Sequence, residues 1–236
     1  MRGYSTHDNP GHVPGVAALT IRSLLDRQQY ADAAGTAAGL GIGSGNWSLF
    51  GLLWPSGVQL AARLAERPVR PGERILEIGC GLGLASLVAH RRGADVTASD
   101  SHPLAGPFLA DNLRLNGLEP MKYRHGHWGA DARQSRHALA SGLHTLRGRF
   151  DHIVGSDLLY ERDERGVLAR FIGRHAAPGA LVWIVDPDRG NRSAFNRNMA
   201  GLGFTLHEER LDRAATEHAL AYKGRLMSYR RTPIAA

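Results

Sequence analysis

Beyond Pro71-Gly72 the apolar positions fall into a regular rhythm. Ile75–Ile78, Val96–Ser99, Lys122–His125, Phe150–Gly155 and Ala180–Val185 read as short strands. Between them, Leu84–Arg92, Pro103–Asn116 and Asp163–Ala176 carry apolar residues at helical spacing, as does Ser193–Leu202 further on. Pro103 opens a helix, and Gly93, Gly117 and Gly203 close three of them. Phe204–Leu211 and Ala219–Arg230 then follow as two strands with no helix between. Alternating strands and helices predict an α/β fold, a mostly parallel sheet with helices on both faces. The last two strands predict an antiparallel pair at one edge of a seven-stranded sheet.

The chain before Pro71 is less regular. Residues 1–17, rich in Gly, Pro and polar side chains, read as a loose arm. Residues 18–33 (ALTIRSLLDRQQYADA) read as a short helix. Gly35 to Gly45 holds five glycines in eleven residues and reads as a mobile connection or lid. Two tryptophans and a phenylalanine follow, with Trp47 and Phe50 expected to pack or else to form a hydrophobic lid hinged on residues 39–45, and Val58–Glu66 reads as a helix. Within the polar stretch 126–149 a helix is expected around Arg133–Leu146, and Trp183 is expected in the core. The expected organisation is an N-terminal extension, residues 1–45, and one domain over residues 46–236.

Composition narrows the class. Of 236 residues, 43% are hydrophobic and 22% charged, an ordinary globular balance. No apolar run resembles a signal peptide or a membrane span, so no membrane partner is expected. The single cysteine, Cys80, excludes an intrachain disulfide, and a cytoplasmic location is expected. The net charge of +7 raises nucleic acid as a partner. The basic residues are nearly all Arg, scattered with no run of three, which argues against it. His125 and His127 form the one close histidine pair, too little for a metal site, and none is expected.

The segment ILEIGCGLGLAS, Ile75 to Ser86, is a strand, a glycine-rich turn and a helix start. Glycines there allow positive φ and close approach of backbone to a ligand, and the helix offers free N–H groups. A dinucleotide fold wants G-x-G-x-x-G, but position 84 is Leu. The pattern is Glu77-x-Gly79-x-Gly81-x-Gly83. A Glu preceding G-x-G-x-G resembles the S-adenosylmethionine-binding α/β fold, and a carboxylate at that place suits a cationic amino-acid end better than a pyrophosphate, which it would repel. Asp100, ending the next strand, is placed to accept hydrogen bonds from ribose hydroxyls, or else to cap the following helix. Asp157 and Tyr160 follow the Phe150 strand, on the side where parallel strands present their carboxyl ends.

Taken together, Leu53-Trp54-Pro55-Ser56-Gly57, the Glu77–Gly83 motif, Asn112, Asn116, Trp128-Gly129 and Asp157-Leu158-Leu159-Tyr160 resemble the seven-β-strand, methyltransferase-16-type protein-lysine methyltransferases. The resemblance covers roughly residues 47–185. It implies a Rossmann-like fold, S-adenosylmethionine as cofactor and a protein substrate, with acidic character favoured by the basic charge. It implies that Trp54 borders the cofactor's methionine end, that Glu77, Gly79, Gly81 and Gly83 cradle it, and that Asp100 binds its ribose. Trp128 would lie against the adenine, and Asp157 and Tyr160 would serve as catalytic residues lining the acceptor pocket, Asp157 also touching the cofactor. The chain departs from the family at His127, in the loop Gly129–Arg149, and at Asp186-Pro187-Asp188-Arg189, which could shape a different acceptor pocket. A small-molecule or protein-histidine acceptor, and a cofactor-binding protein without catalysis, stand as alternatives.

Overall fold

The computed structural model describes residues 4–163, 165–215 and 221–231. Along the chain it forms β1 (Thr6–Gly11), β2 (Leu19–Leu24), α1 (Thr36–Gly39), α2 (Ser44–Trp47), a 3-10 turn (Ser48–Gly51) and α3 (Pro55–Glu66). Then come β3 (Arg74–Ile78), α4 (Leu84–Arg91), β4 (Asp95–Asp100), α5 (Ala105–Leu115), β5 (Lys122–His125) and α6 (Ala132–Ala140). The remainder is β6 (Phe150–Ser156), α7 (Val167–His175), β7 (Ala176–Asp186), α8 (Arg192–Gly201), β8 (Phe204–Arg210) and β9 (Arg225–Arg231).

Seven strands form one sheet in the order β5-β4-β3-β6-β7-β9-β8. The first five are parallel, and β9 runs antiparallel to both β7 and β8. This is the expected Rossmann-like sheet. Leu60, Leu87, Phe108 and their neighbours on α3, α4 and α5 form a core on one face. Phe171, Ile172, Phe195 and Met199 on α7 and α8 form the core on the other. Each such side chain contributes roughly 1.5–3 kcal/mol by leaving water. The chain turns from building outward on one side of β3 to building outward from β6 on the other. A crevice therefore opens past the carboxyl ends of β3 and β6, where ligands bind in open α/β sheets.

The N-terminal region differs from its expected form. Residues 19–24 are a strand and not part of a helix, and the supposed loose arm supplies its partner β1, paired from Thr6↔Leu24 to Gly11↔Leu19. In Leu19-Thr20-Ile21-Arg22, Leu19 and Ile21 are buried while Thr20 and Arg22 face outward, a two-residue period hidden in a helix-like stretch. Asn112 of α5 and Asn116, which caps its C-terminus, settle the conformation. Asn116 accepts from Thr20 N–H (2.8 Å) and donates to Thr20 C=O (2.7 Å), as a neighbouring strand would. Asn112 accepts from Arg22 N–H at 2.7 Å. A helix at 18–33 would forfeit these bonds.

Smaller corrections follow the same logic. The Gly35–Gly45 segment folds into α1 and the start of α2. Gln134 of α6 donates to Leu40 C=O (3.0 Å) and His137 bonds Thr36 C=O (3.2 Å). The helix expected at Arg133–Leu146 is confined to α6, opened by a reciprocal Asp131–Gln134 capping box. Trp47 and Phe50 pack as expected, at 1% and 5% exposure. Trp183 is half-buried, not core, with the His152 ring set edge-on to it at 4.6 Å. The final strand begins at Arg225; Ala219 and Leu220, at the start of its expected span, lie outside the described residues.

Candidate active site

The turn after β3 supplies the floor of the crevice. Gly79 and Gly81 take φ of +60° and +51°, a region that side chains disfavour. Contact would forbid a side chain as well. A Cβ at Gly81 would lie 2.8 Å from the Phe50 carbonyl oxygen, and one at Gly79 would lie 2.5 Å from Leu158. Gly83 then caps α4 in a left-handed conformation.

Two buried carboxylates brace this turn. Asp100, at the end of β4, accepts from Gly81 N–H on Oδ2 and from His102 N–H on Oδ1, both at 2.8 Å. The alternative reading of Asp100 as a helix cap is therefore replaced by a brace between two loops. Burial raises its carboxyl above the usual range, and backbone donors from His102, Gly81 and Ser101 oppose that rise. Glu77 Oε2 accepts from the Ser86 amide (2.8 Å) and hydroxyl, in the first turn of α4. Burial raises Glu77 to about 7; the Ser86 bonds pull it down and the Asp100 charge adds to the rise. A cation arriving nearby would favour the ionised form of both.

A roof lies over this floor. The Phe50 ring stacks on His102, centroids 3.8 Å apart, and Trp47 meets the same imidazole edge-on at 5.4 Å. Burial lowers His102 to about 3, so the ring is neutral. Its Nδ1 accepts from Leu104 N–H (3.2 Å), which places the ring proton on Nε2, a buried atom with no partner among the described residues. Trp54, just before α3, donates from its indole to Leu49 C=O (2.9 Å) under the Arg27 guanidinium (4.8 Å to the ring centre).

At the other end of the crevice, Asp157 follows β6 and carries an unusual positive φ of 57°. Its Oδ1 pairs with Arg189 Nη2 at 2.9 Å. Burial raises its carboxyl, opposed chiefly by Arg189 and also by Ser56 at the start of α3. Tyr160 is 47% exposed and is not a core residue. Burial, then the charges of Glu161 and Asp100, push its hydroxyl up.

All the residues nominated from sequence meet. Trp54, Glu77, Gly79, Gly81, Gly83, Asp100, Trp128, Asp157 and Tyr160 line one cavity of about 600 Å³. The cavity lies across the β3–β6 crevice and beneath the roof.

Residues 56–228 match the model of a protein family described as a methyltransferase domain. That is well over half of the chain. The chain belongs to this methyltransferase family. Among its relatives is the electron transfer flavoprotein beta subunit lysine methyltransferase of Rattus norvegicus, 31% identical over 146 residues, covering 61% of this chain and 51% of that protein. Another is the calmodulin-lysine N-methyltransferase of Arabidopsis thaliana, 32% identical over 126 residues, covering 50% of this chain and 38% of that protein. The chain thus spans about half the length, or less, of these curated relatives. The fold matches the crystal structure of a ribosomal protein L11 methylase from Lactobacillus delbrueckii subsp. bulgaricus, with a TM-score of 0.51, 19% identity, and coverage of 75% of this chain and 79% of that one.

The residues present fit the cofactor of methyltransferases of this fold, S-adenosylmethionine. The cradle is open only because glycine occupies it. Two buried carboxylates suit a cationic, hydroxyl-bearing ligand, and the lone Nε2–H of His102 is a donor awaiting an acceptor. Sequence reasoning missed His102 as a cavity residue. His102 offered no motif. Arg189, which also lines the cavity, lies in the Asp186–Arg189 stretch that departs from the family pattern and that the sequence marks as able to shape a different acceptor pocket.

Proposed function

We propose that this protein transfers a methyl group from S-adenosylmethionine to the side-chain amine of a lysine in a protein substrate. The observation that carries this reading is the acceptor end of the cavity. Asp157 lies inside it, and Tyr160 stands half-exposed, where a side chain presented by a large partner can enter. A closed pocket would favour a small amine instead. The lysine-modifying relatives support the same acceptor.

The bound cofactor supplies an electrophilic methyl group on a sulfonium centre. The chain's own residues bind, aim and exclude water. Glu77 and Asp100 set negative charge and hydrogen-bond acceptors along the floor. Trp128 offers a flat apolar face beside Gly79. Phe50 and the roof around it exclude solvent from the cofactor turn. Asp157 and Tyr160 orient the acceptor nitrogen, and the proton it sheds passes to water. Orientation of this kind can supply roughly 7–11 kcal/mol of barrier reduction.

The test is transfer of labelled methyl groups to purified electron transfer flavoprotein beta subunit, to calmodulin and to a protein extract, followed by amino-acid analysis. Label in methyl-lysine is expected. Label in methyl-histidine or in a small molecule would replace the lysine acceptor, and no label with cofactor bound would favour a non-catalytic binding protein. Asp157→Asn is expected to lower transfer by about a hundredfold or more, in the range of a lost positioning or acid–base group.

A further inference from the structure

Arg189 enters the acceptor end from the turn after β7, and the reaction above gives it no part. Its position is built, not incidental. Asp186, fully buried at the end of β7, accepts from the Arg189 backbone N–H at 2.8 Å. Its other oxygen lies 3.6 Å from Arg189 Nη1. Asp188, at φ 61°, turns the chain between them. Asp188 does not compete for Arg189, because it is taken by Arg210 (2.6 Å), Arg225 (2.8 Å) and Arg192 (3.5 Å). Arg189 therefore has its fork toward Asp157, at 2.9 Å.

The other groups around Asp157 do not undo this pairing. From α3 comes Ser56, hydrogen-bonded to the Tyr222 hydroxyl at 2.9 Å. Tyr222 precedes β9 and is buried. From α8, Arg192 adds positive charge on the Asp186 side. From its own loop come Tyr160, Glu161 and Arg162, all lining the cavity. The side chain of Asp157 is 10% exposed and that of Arg189 is 29% exposed, so solvent screens the pair only in part.

An unpaired carboxylate beside a lysine would hold it as the ammonium, which has no lone pair to form the new N–C bond. We propose, resting on the lysine reading above, that Arg189 is a specificity-determining residue that cancels the Asp157 charge, so that the site takes the acceptor nitrogen as the free amine. The amine has given its proton to solvent before it binds. Its lone pair forms the N–C bond, the C–S pair returns to sulfur, and a second proton leaves to water.

The experiment titrates Nα-acetyl-lysine methylamide into protein saturated with S-adenosylhomocysteine, followed by NMR from pH 7 to 9. A lysine amine ionises near ~10.4, so the free-amine fraction rises about tenfold per pH unit in this range. Apparent affinity in the wild type is expected to rise by the same factor. Arg189→Gln should abolish that slope and bind the permanently cationic trimethyl-lysine counterpart more tightly than the wild type does. Arg189→Lys should restore the slope. A wild-type affinity that is flat, or tighter at pH 7, overturns the proposal while leaving lysine as the acceptor. Absence of saturable binding of either amine form overturns the lysine reading itself. S-adenosylhomocysteine affinity reports whether Arg189→Gln is folded; if it is not, the wild-type slope decides, together with weaker wild-type binding of the trimethyl-lysine than of the lysine compound at pH 9.

Discussion

The floor and the roof of the cavity are built in opposite ways. The floor, β3 to α4, is continuous in sequence. Its conformation comes from glycines at positive φ, a following helix and two carboxylates at strand positions. The roof, residues 4–51, is a two-stranded hairpin followed by short helical turns. It is held by side chains from elsewhere: the amides of Asn112 and Asn116 on β2, and the Gln134 amide and His137 imidazole on the segment around α1. The contrast shows that a ligand site can join a locally encoded half to a half whose shape exists only after docking. Asn112 touches both, since it also donates to Leu82 C=O in the glycine turn at 3.2 Å.

Breaking the floor should have the largest effect. Asp100→Ala strands the Gly81 and His102 amides, each a buried donor worth about 1–3 kcal/mol when left unpaired. Cofactor affinity by calorimetry is expected to fall at least a hundredfold, with a lower melting temperature. An unchanged affinity would show that the brace is dispensable. Breaking the joint comes next. Asn112→Ala removes the bonds to Arg22 and Leu82 from a fully buried site, at a cost of about 2–3 kcal/mol. Limited proteolysis near residues 25–35 should accelerate more than global unfolding does.

The floor also carries a proton linkage. Burial lifts Glu77 to about 7, while a cationic ligand favours its ionised form. Cofactor affinity should therefore weaken by up to about tenfold per pH unit below 7, and binding at pH 6 should release a proton, measurable by calorimetry in buffers of different ionisation enthalpy. The sign for stability is the reverse of the usual carboxylate. The folded state holds this proton more tightly than the unfolded chain, so the contribution of Glu77 falls as pH rises from the ordinary 4.5 to about 7 and is level above that. The smallest effect is expected from the roof latch. Gln134→Ala loses one bond to Leu40 and the side-chain half of a capping box, the Asp131 N–H bond to Gln134 Oε1, about 0.5–1.5 kcal/mol. Hydrogen exchange at residues 36–41 should quicken, with cofactor affinity changed less than threefold.

Much of the fold and the floor was legible from the chain itself. The strand–helix alternation after Gly72 located the seven strands of the main sheet, because each element carries its own period and its own stop signal. Glu77, Gly79, Gly81, Gly83 and Asp100 could be placed in one site because a strand, a tight turn and a helix leave little freedom over so few residues. Asp157 and Tyr160 could be placed because parallel strands end on the same side.

The rest was decided by tertiary structure. Residues 19–24 have apolar positions compatible with two periods, and only the amides of Asn112 in α5 and Asn116 at its C-terminal cap, some ninety residues away, choose the strand. His102 becomes a neutral donor only because Phe50 and Trp47 bury it. Arg189 meets Asp157 only because β6 and β7 are neighbours in the sheet, so that two separate turns open at the same edge. Local periodicity carries backbone conformation, but the partner of a buried charge is set by which strands lie side by side.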